Sequence, residues 1–236
     1  MLQHIETNKL FYNEYLYALK CQNPLLTIFR GSNSSGGWSR MILDRIRPYF
    51  ENKENISRDV PRYIREEIKS GKIRYLHFRD AQTIYKFLSE KFSSREFKIR
   101  IDFPHTAKIY ANDKAWLLEM ATRVECAQEF HQPDPKYVEP LLNNGHIILT
   151  DKPPKYKWKV KFNNNKGDKH FSQWCRSNSD KVKISANTLD YLEKGYGMDG
   201  CFMYVRDKSV LTLVTLMVGN NLGRTDELVY CKDLDK

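Results

Sequence analysis

Hydrophobic residues recur along this chain in two spacings, one helical and one alternating. Trp38, Met41, Ile42, Ile46, Tyr49 and Phe50 fall on one face of a helix, which Pro48 ends or kinks. Asp59 is placed to cap a second helix with a stripe of Val60, Tyr63, Ile64 and Ile68, and Gly71 supplies its stop. Phe11, Tyr15 and Leu19 predict another over Thr7 to Cys21, with Thr7 as N-cap and Asn23-Pro24 as the end. Leu25 to Phe29 is an apolar run of strand length.

A strand–aspartate–helix pattern then recurs. Tyr75 to Phe78 precedes Asp80 and a helix bearing Ile84, Phe87, Leu88 and Phe92. Lys108 to Tyr110 precedes Asp113 and a helix bearing Trp116, Leu117 and Met120. Phe202 to Val205 precedes Asp207 and a helix bearing Leu211, Val214 and Met217. Each aspartate is expected to accept the unpaired N–H groups of a first helical turn. A helix from Ser185 to Gly195 and a strand near 226–231 complete the pattern.

Alternating strands and helices predict an α+β fold of mixed or antiparallel sheets with packed helices. A ferredoxin-like split βαβ unit is the expectation for each half. Five prolines between residues 133 and 154 suggest a boundary. The predicted division is an N-terminal domain over 1–135, a Pro-rich connection over 136–154 and a C-terminal β-α-β-α-β domain over 155–236.

Residues 155–162, KYKWKVKF, alternate Lys155, Lys157, Lys159 and Lys161 with Tyr156, Trp158, Val160 and Phe162. In a strand the lysines take one face and the aromatics the core side. The aromatics of this strand therefore cannot stack bases that the same lysines hold. Lysines also protect an edge strand from pairing with another sheet, which is a structural explanation in itself.

Charge sharpens this picture. The 236 residues carry 39 Lys and Arg against 29 Asp and Glu, a net +10, which favours a polyanionic partner. Residues 151–170 hold seven lysines against two aspartates, and residues 30–74 hold eleven Lys and Arg against six acids. The candidate phosphate contacts are Lys155, Lys157, Lys159, Lys161, Lys166 and Lys169, helped by Arg30, Arg40, Arg45 and Arg47. Abundant Asn, Lys and Tyr fit an AT-rich genome, such as many phages have.

The five cysteines form no CxxC pair, so a disulfide scaffold or a cysteine zinc site is not expected. The start lacks the apolar core of a signal peptide, and Val210 to Val218 is too short to span a bilayer. A cytoplasmic protein with no membrane partner is expected.

Candidate chemistry is sparse. Gly31 and Gly36 have P-loop spacing, but Gly37 and Trp38 stand where Lys and Ser or Thr belong. Ile28-Phe29-Arg30-Gly31 resembles the aromatic-Arg-Gly strand of ADP-ribosyltransferases. That family's Ser-Thr-Ser strand and Glu-x-Glu pair are lacking, so the resemblance ends at four residues. Asp102 and Glu119 are the best carboxylate pair for a magnesium nuclease. Pro133-Asp134 begins a PD motif, but no Asp/Glu-x-Lys follows on a plausible second strand, and the histidines show no HxH or HExxH spacing.

The leading expectation is a non-catalytic protein binding DNA or RNA by sequence-independent phosphate contacts, with no cofactor and no metal. A structural or assembly protein, such as a virion or adaptor component contacting an acidic partner, comes second. A magnesium-dependent nucleic-acid-modifying enzyme comes third.

Overall fold

The segment expected as the first helix is two strands and a hairpin. Gln3–Thr7 forms β1 and Tyr17–Gln22 forms β2. Between them Phe11 and Tyr15 pair across a tight turn in which Tyr12 and Asn13 take φ values of 55° and 64°. A four-residue spacing is also an even spacing. Phe11, Tyr15 and Leu19 therefore satisfy a strand's period as well as a helix's, and tertiary pairing decides between them.

The computed structural model describes residues 2–29, 66, 70–71, 75–91, 96–102 and 105–234. The helices expected around Trp38 to Phe50 and Val60 to Ile68 lie outside the described residues. So do Arg30, Arg40, Arg45, Arg47 and the glycine loop. The chain forms two compact units, Met1–Val138 and Glu139–Lys236.

In the first unit, Pro24–Phe29 is a 3₁₀ helix rather than a strand. Asn23 caps it, its Oδ1 accepting from Leu25 N at 2.9 Å, and Pro24 has no N–H to leave unpaired. Tyr75–Glu90 is one helix, α1, so the strand expected at Tyr75 to Phe78 is its first turn. Asp80 lies inside α1 and is not a cap. Its buried Oδ2 accepts from the N–H groups of Glu125 at 3.0 Å and Cys126 at 2.8 Å, tying α1 to the entry of a distant strand. Strands β3 (Phe97–Asp102) and β4 (Thr106–Ala111) follow, then helix α2 (Lys114–Arg123) and strand β5 (Ala127–Pro133). Asp113 does cap α2, accepting from Trp116 N at 2.9 Å.

The second unit contains α3 (Val138–Asn143, which begins at the boundary) and β6 (Ile147–Thr150). The Pro-rich stretch expected as a plain connection thus supplies a helix and an edge strand. Then come β7 (Trp158–Phe162), α4 (Lys169–Ser177), β8 (Val182–Ile184) and α5 (Ala186–Lys194). Finally come β9 (Phe202–Val205), α6 (Lys208–Val218), β10 (Leu222–Tyr230) and α7 (Cys231–Leu234). Ser185 and Gly195 bound α5, and Asp207 caps α6, as expected. Gly167 approaches α5 so closely that a Cβ would lie 2.5 Å from Leu192 Cα.

The sheet orders are β1-β5-β2-β4-β3 and β6-β10-β7-β9-β8. Within each, four strands are joined as βαββαβ with all neighbours antiparallel, the split βαβ arrangement. The strand that precedes them, β1 or β6, is added parallel to the last. The two units thus share one topology, and α5 is an insertion in the second.

The cores lie on the helix side of each sheet. Leu19, Ile109, Leu117, Met120, Ile84 and Phe130 anchor the first; Val160, Phe162, Phe171, Met203, Val205 and Val214 anchor the second. The α+β architecture agrees with the alternating pattern. No helix among the described residues is long and apolar enough to cross a membrane.

Asp80→Ala leaves two backbone donors without a partner and should cost roughly 2–4 kcal/mol in urea unfolding. Asp113→Ala removes a half-buried cap and its ion pair with Lys91, and should cost less, about 1–1.5 kcal/mol. Equal losses would show that the buried carboxylate is not the tie described.

Candidate nucleic-acid interface

Strand β7 lies inside its sheet, paired with β10 on one side and β9 on the other. Edge protection therefore does not explain its lysines. Val160 and Phe162 are buried and Trp158 packs on the core, so Lys159 and Lys161 stand on the face away from the helices. Lys157 continues their row: its N–H donates to Arg206 O and its carbonyl accepts from Leu228 N. Lys155 lies before the strand with its Nζ 5.4 Å from the Tyr156 ring. Lys166 bridges to Gly197 in the loop beyond Phe162, and Lys169 opens α4. Of the predicted contacts among the described residues, Lys157, Lys159 and Lys161 share this row.

The residues across from these lysines were not singled out from the sequence. Lys159 faces Tyr204 on β9 and Asp226 on β10, Lys161 faces Phe202, and Lys183 on β8 faces Tyr204. The ammonium of Lys159 lies 4.1 Å from the Phe202 ring and 5.7 Å from that of Tyr204. The two rings meet edge to face with centroids 5.6 Å apart. Phe202 keeps 38% of its surface exposed. Arg224 binds the buried Asp226 through Nε, while its buried Nη2 has no hydrogen-bond partner among the described residues. The available signal was the FMYV stretch, in which aromatics alternate with the aliphatic core residues Met203 and Val205.

The first unit presents the same face with a different outcome. Register aligns Lys98, Tyr110, Ala18 and His131 across β3, β4, β2 and β5, where the second unit has Lys183, Tyr204, Lys159 and Asp226. The next row is Arg100, Lys108, Lys20 and Glu129. Here the cations have acids beside them: Lys20 meets Glu129 at 2.5 Å and Arg100 meets Asp102 at 2.6 Å. Tyr110 is buried under Phe11 and Tyr12, with both ring separations 5.1 Å. That burial, with Tyr12 beside it, pushes the Tyr110 hydroxyl well above its ordinary pKa. In the second unit neither Lys161 nor Lys183 forms an ion pair among the described residues.

Asp102 and Glu119 do not meet. Asp102 stands on the open face beside Arg100, whereas Glu119 belongs to helix α2 on the other side and pairs with Arg123 at 2.5 Å. No group of three or more metal-ligating side chains occurs among the described residues. A cleft of about 330 Å³ between α1 and α2 has an aromatic floor of Phe87 and Trp116 and walls of mixed charge, including the Glu119–Arg123 pair.

Comparison with family models, with curated proteins and with solved structures finds no match to this chain.

Burial lowers the pKa of His131, against the opposing pull of its 2.9 Å partner Glu129 and with added repulsion from Lys108. The unfolded chain therefore protonates this ring first, at about pH 6.5. Stability should be full above that pH, fall as pH drops from it to the lowered folded value, and level off below. His131→Gln should flatten that segment of a stability–pH curve measured by urea unfolding. An unchanged curve would assign the segment to another group.

Proposed function

We propose that this protein binds nucleic acid without catalysis, through phosphate contacts made by the open face of its second sheet. The observation that carries this reading is the inner-strand position of β7. Its lysine row is neither an edge device nor neutralised by facing acids, apart from Asp226 opposite Lys159. A face on which Lys161 and Lys183 form no ion pair among the described residues gains from an external polyanion, because each phosphate contact releases condensed counterions. Lys157, Lys159, Lys161 and Lys183 are the contacts, and lysine suits sequence-independent phosphate recognition.

Titration of labelled oligonucleotides across a salt series tests this. Affinity should fall linearly in log–log form, by about 0.7–0.9 per phosphate contact. The triple variant Lys159→Glu, Lys161→Glu, Lys183→Glu should weaken binding on the order of tenfold or more and flatten the slope by about two to three. The paired change Lys20→Glu, Lys108→Glu on the first sheet should do less. Absence of binding near 50 mM salt, or a triple variant that binds like the parent, would refute the reading.

A further inference from the structure

We infer that the strand taken up by this face is single, and that its bases stack on Phe202 and Tyr204. This rests on the nucleic-acid reading above and names its substrate class. Three observations carry it.

The first is placement. Phe202 and Tyr204 are two residues apart on β9, so both rings project from the same face, and the cross-strand register sets Lys161, Lys159 and Lys183 directly beside them. Aromatic rings interleaved with lysines on an open sheet hold a base by its face and its phosphate by charge. The expectation that the aromatics of β7 point away from its lysines holds for Trp158 and Phe162, whereas Tyr156, before the strand, has the Lys155 ammonium near its ring; the neighbouring strand β9 supplies the rings on the lysine face.

The second is the comparison within the molecule. At the position that Tyr204 occupies in the second sheet, the first has Tyr110, and the chain's own Phe11 and Tyr12 rings cover it. Over Phe202 and Tyr204 no third ring lies among the described residues; Lys159 is what sits on Phe202. Where the protein fills this face itself, it fills it with aromatic rings. The counterpart, which among the described residues has only the Lys159 ammonium on Phe202, suits a planar group from outside, and the flexible lysine stem can swing its ammonium from ring to phosphate.

The third is Arg224. Its Nε is held by Asp226, which fixes the guanidinium, and Nη2 remains a buried donor without a partner among the described residues. The side chain keeps 21% of its surface exposed, so a turn of the guanidinium about its Nε contact brings this donor to an outside acceptor, and a nucleotide offers both phosphate and base-edge oxygens. A duplex meets these demands poorly, because its bases are already stacked on one another and cannot lie flat on protein rings.

The experiment compares fluorescence-anisotropy binding of a labelled 12-mer pyrimidine strand, its duplex and an abasic strand of equal charge, in both deoxyribose and ribose forms. The single strand should bind on the order of tenfold tighter than the duplex or the abasic strand. Phe202→Ala and Tyr204→Ala should each weaken single-strand binding about tenfold, with no change in salt slope and none in abasic binding. Circular dichroism confirms folding, and Phe202→Tyr, which keeps a ring, should retain affinity. Loss of stacking-dependent affinity with either sugar supports the inference. It is overturned if duplex and single strand bind equally, or if Phe202→Ala binds like the parent while Lys161→Ala weakens binding. In that case phosphate contact survives without stacking. If no oligonucleotide binds at low salt, both readings fall together.

Discussion

Both units are shaped by one constraint: each helix that links two parallel strands of a split βαβ unit must cross on the same side of the sheet. Right-twisted strands feeding right-handed helices pack back onto the sheet in only one hand. In the first unit α1 and α2 therefore share a face with the core around Ile109 and Leu117, and in the second α4 and α6 do so around Val160 and Met203. Among the described residues, no crossover helix lies on the opposite face. What the chain does with that bare face differs between the units, and the difference is where function is sought.

In the first unit the face is closed locally. The Phe11–Tyr15 hairpin lays its rings over Tyr110, and Asn112 holds the hairpin down by accepting from Leu16 N at 2.8 Å and donating to Glu14 O at 2.9 Å. Left-handed backbone at Tyr12 and Asn13 is the strain this closure requires, and it is tolerated because ring packing and two hydrogen bonds over-determine it. Glu129 and Asp102 neutralise cations that would otherwise repel across adjacent strands. In the second unit Lys161 lies opposite Phe202 and Lys183 opposite Tyr204, so rings separate the charges without cancelling them. Separation by apolar rings leaves a cationic and aromatic surface at once.

The aspartates show how local and tertiary uses of one residue type diverge. Asp113 and Asp207 cap the helices that follow their strands, and the backbone geometry of a first turn is sufficient reason. Asp80 has the same sequence surroundings but lies within α1, and it serves backbone donors more than forty residues away. Nothing within a few residues of Asp80 distinguishes the two cases.

Local pattern determined the α+β class, the caps at Asp113, Ser185 and Asp207, the stop at Gly195, and the facing of Trp158, Val160 and Phe162 toward a core. Each depends on side-chain period or first-turn hydrogen bonding, which neighbouring residues suffice to set. Tertiary structure alone decided that Gln3–Thr7 and Tyr17–Gln22 are strands, that Tyr75 starts a helix, and that β7 is an inner strand. It alone brought Phe202, Tyr204, Lys183 and Arg224 beside the lysines. Strand order and register depend on pairing between residues far apart in the chain, 41 positions for Lys161 with Phe202 and 126 for Gln3 with Glu129, and no spacing rule within one strand encodes its neighbour. The lysine row was therefore legible in the chain, while the rings that give it a second chemistry were not.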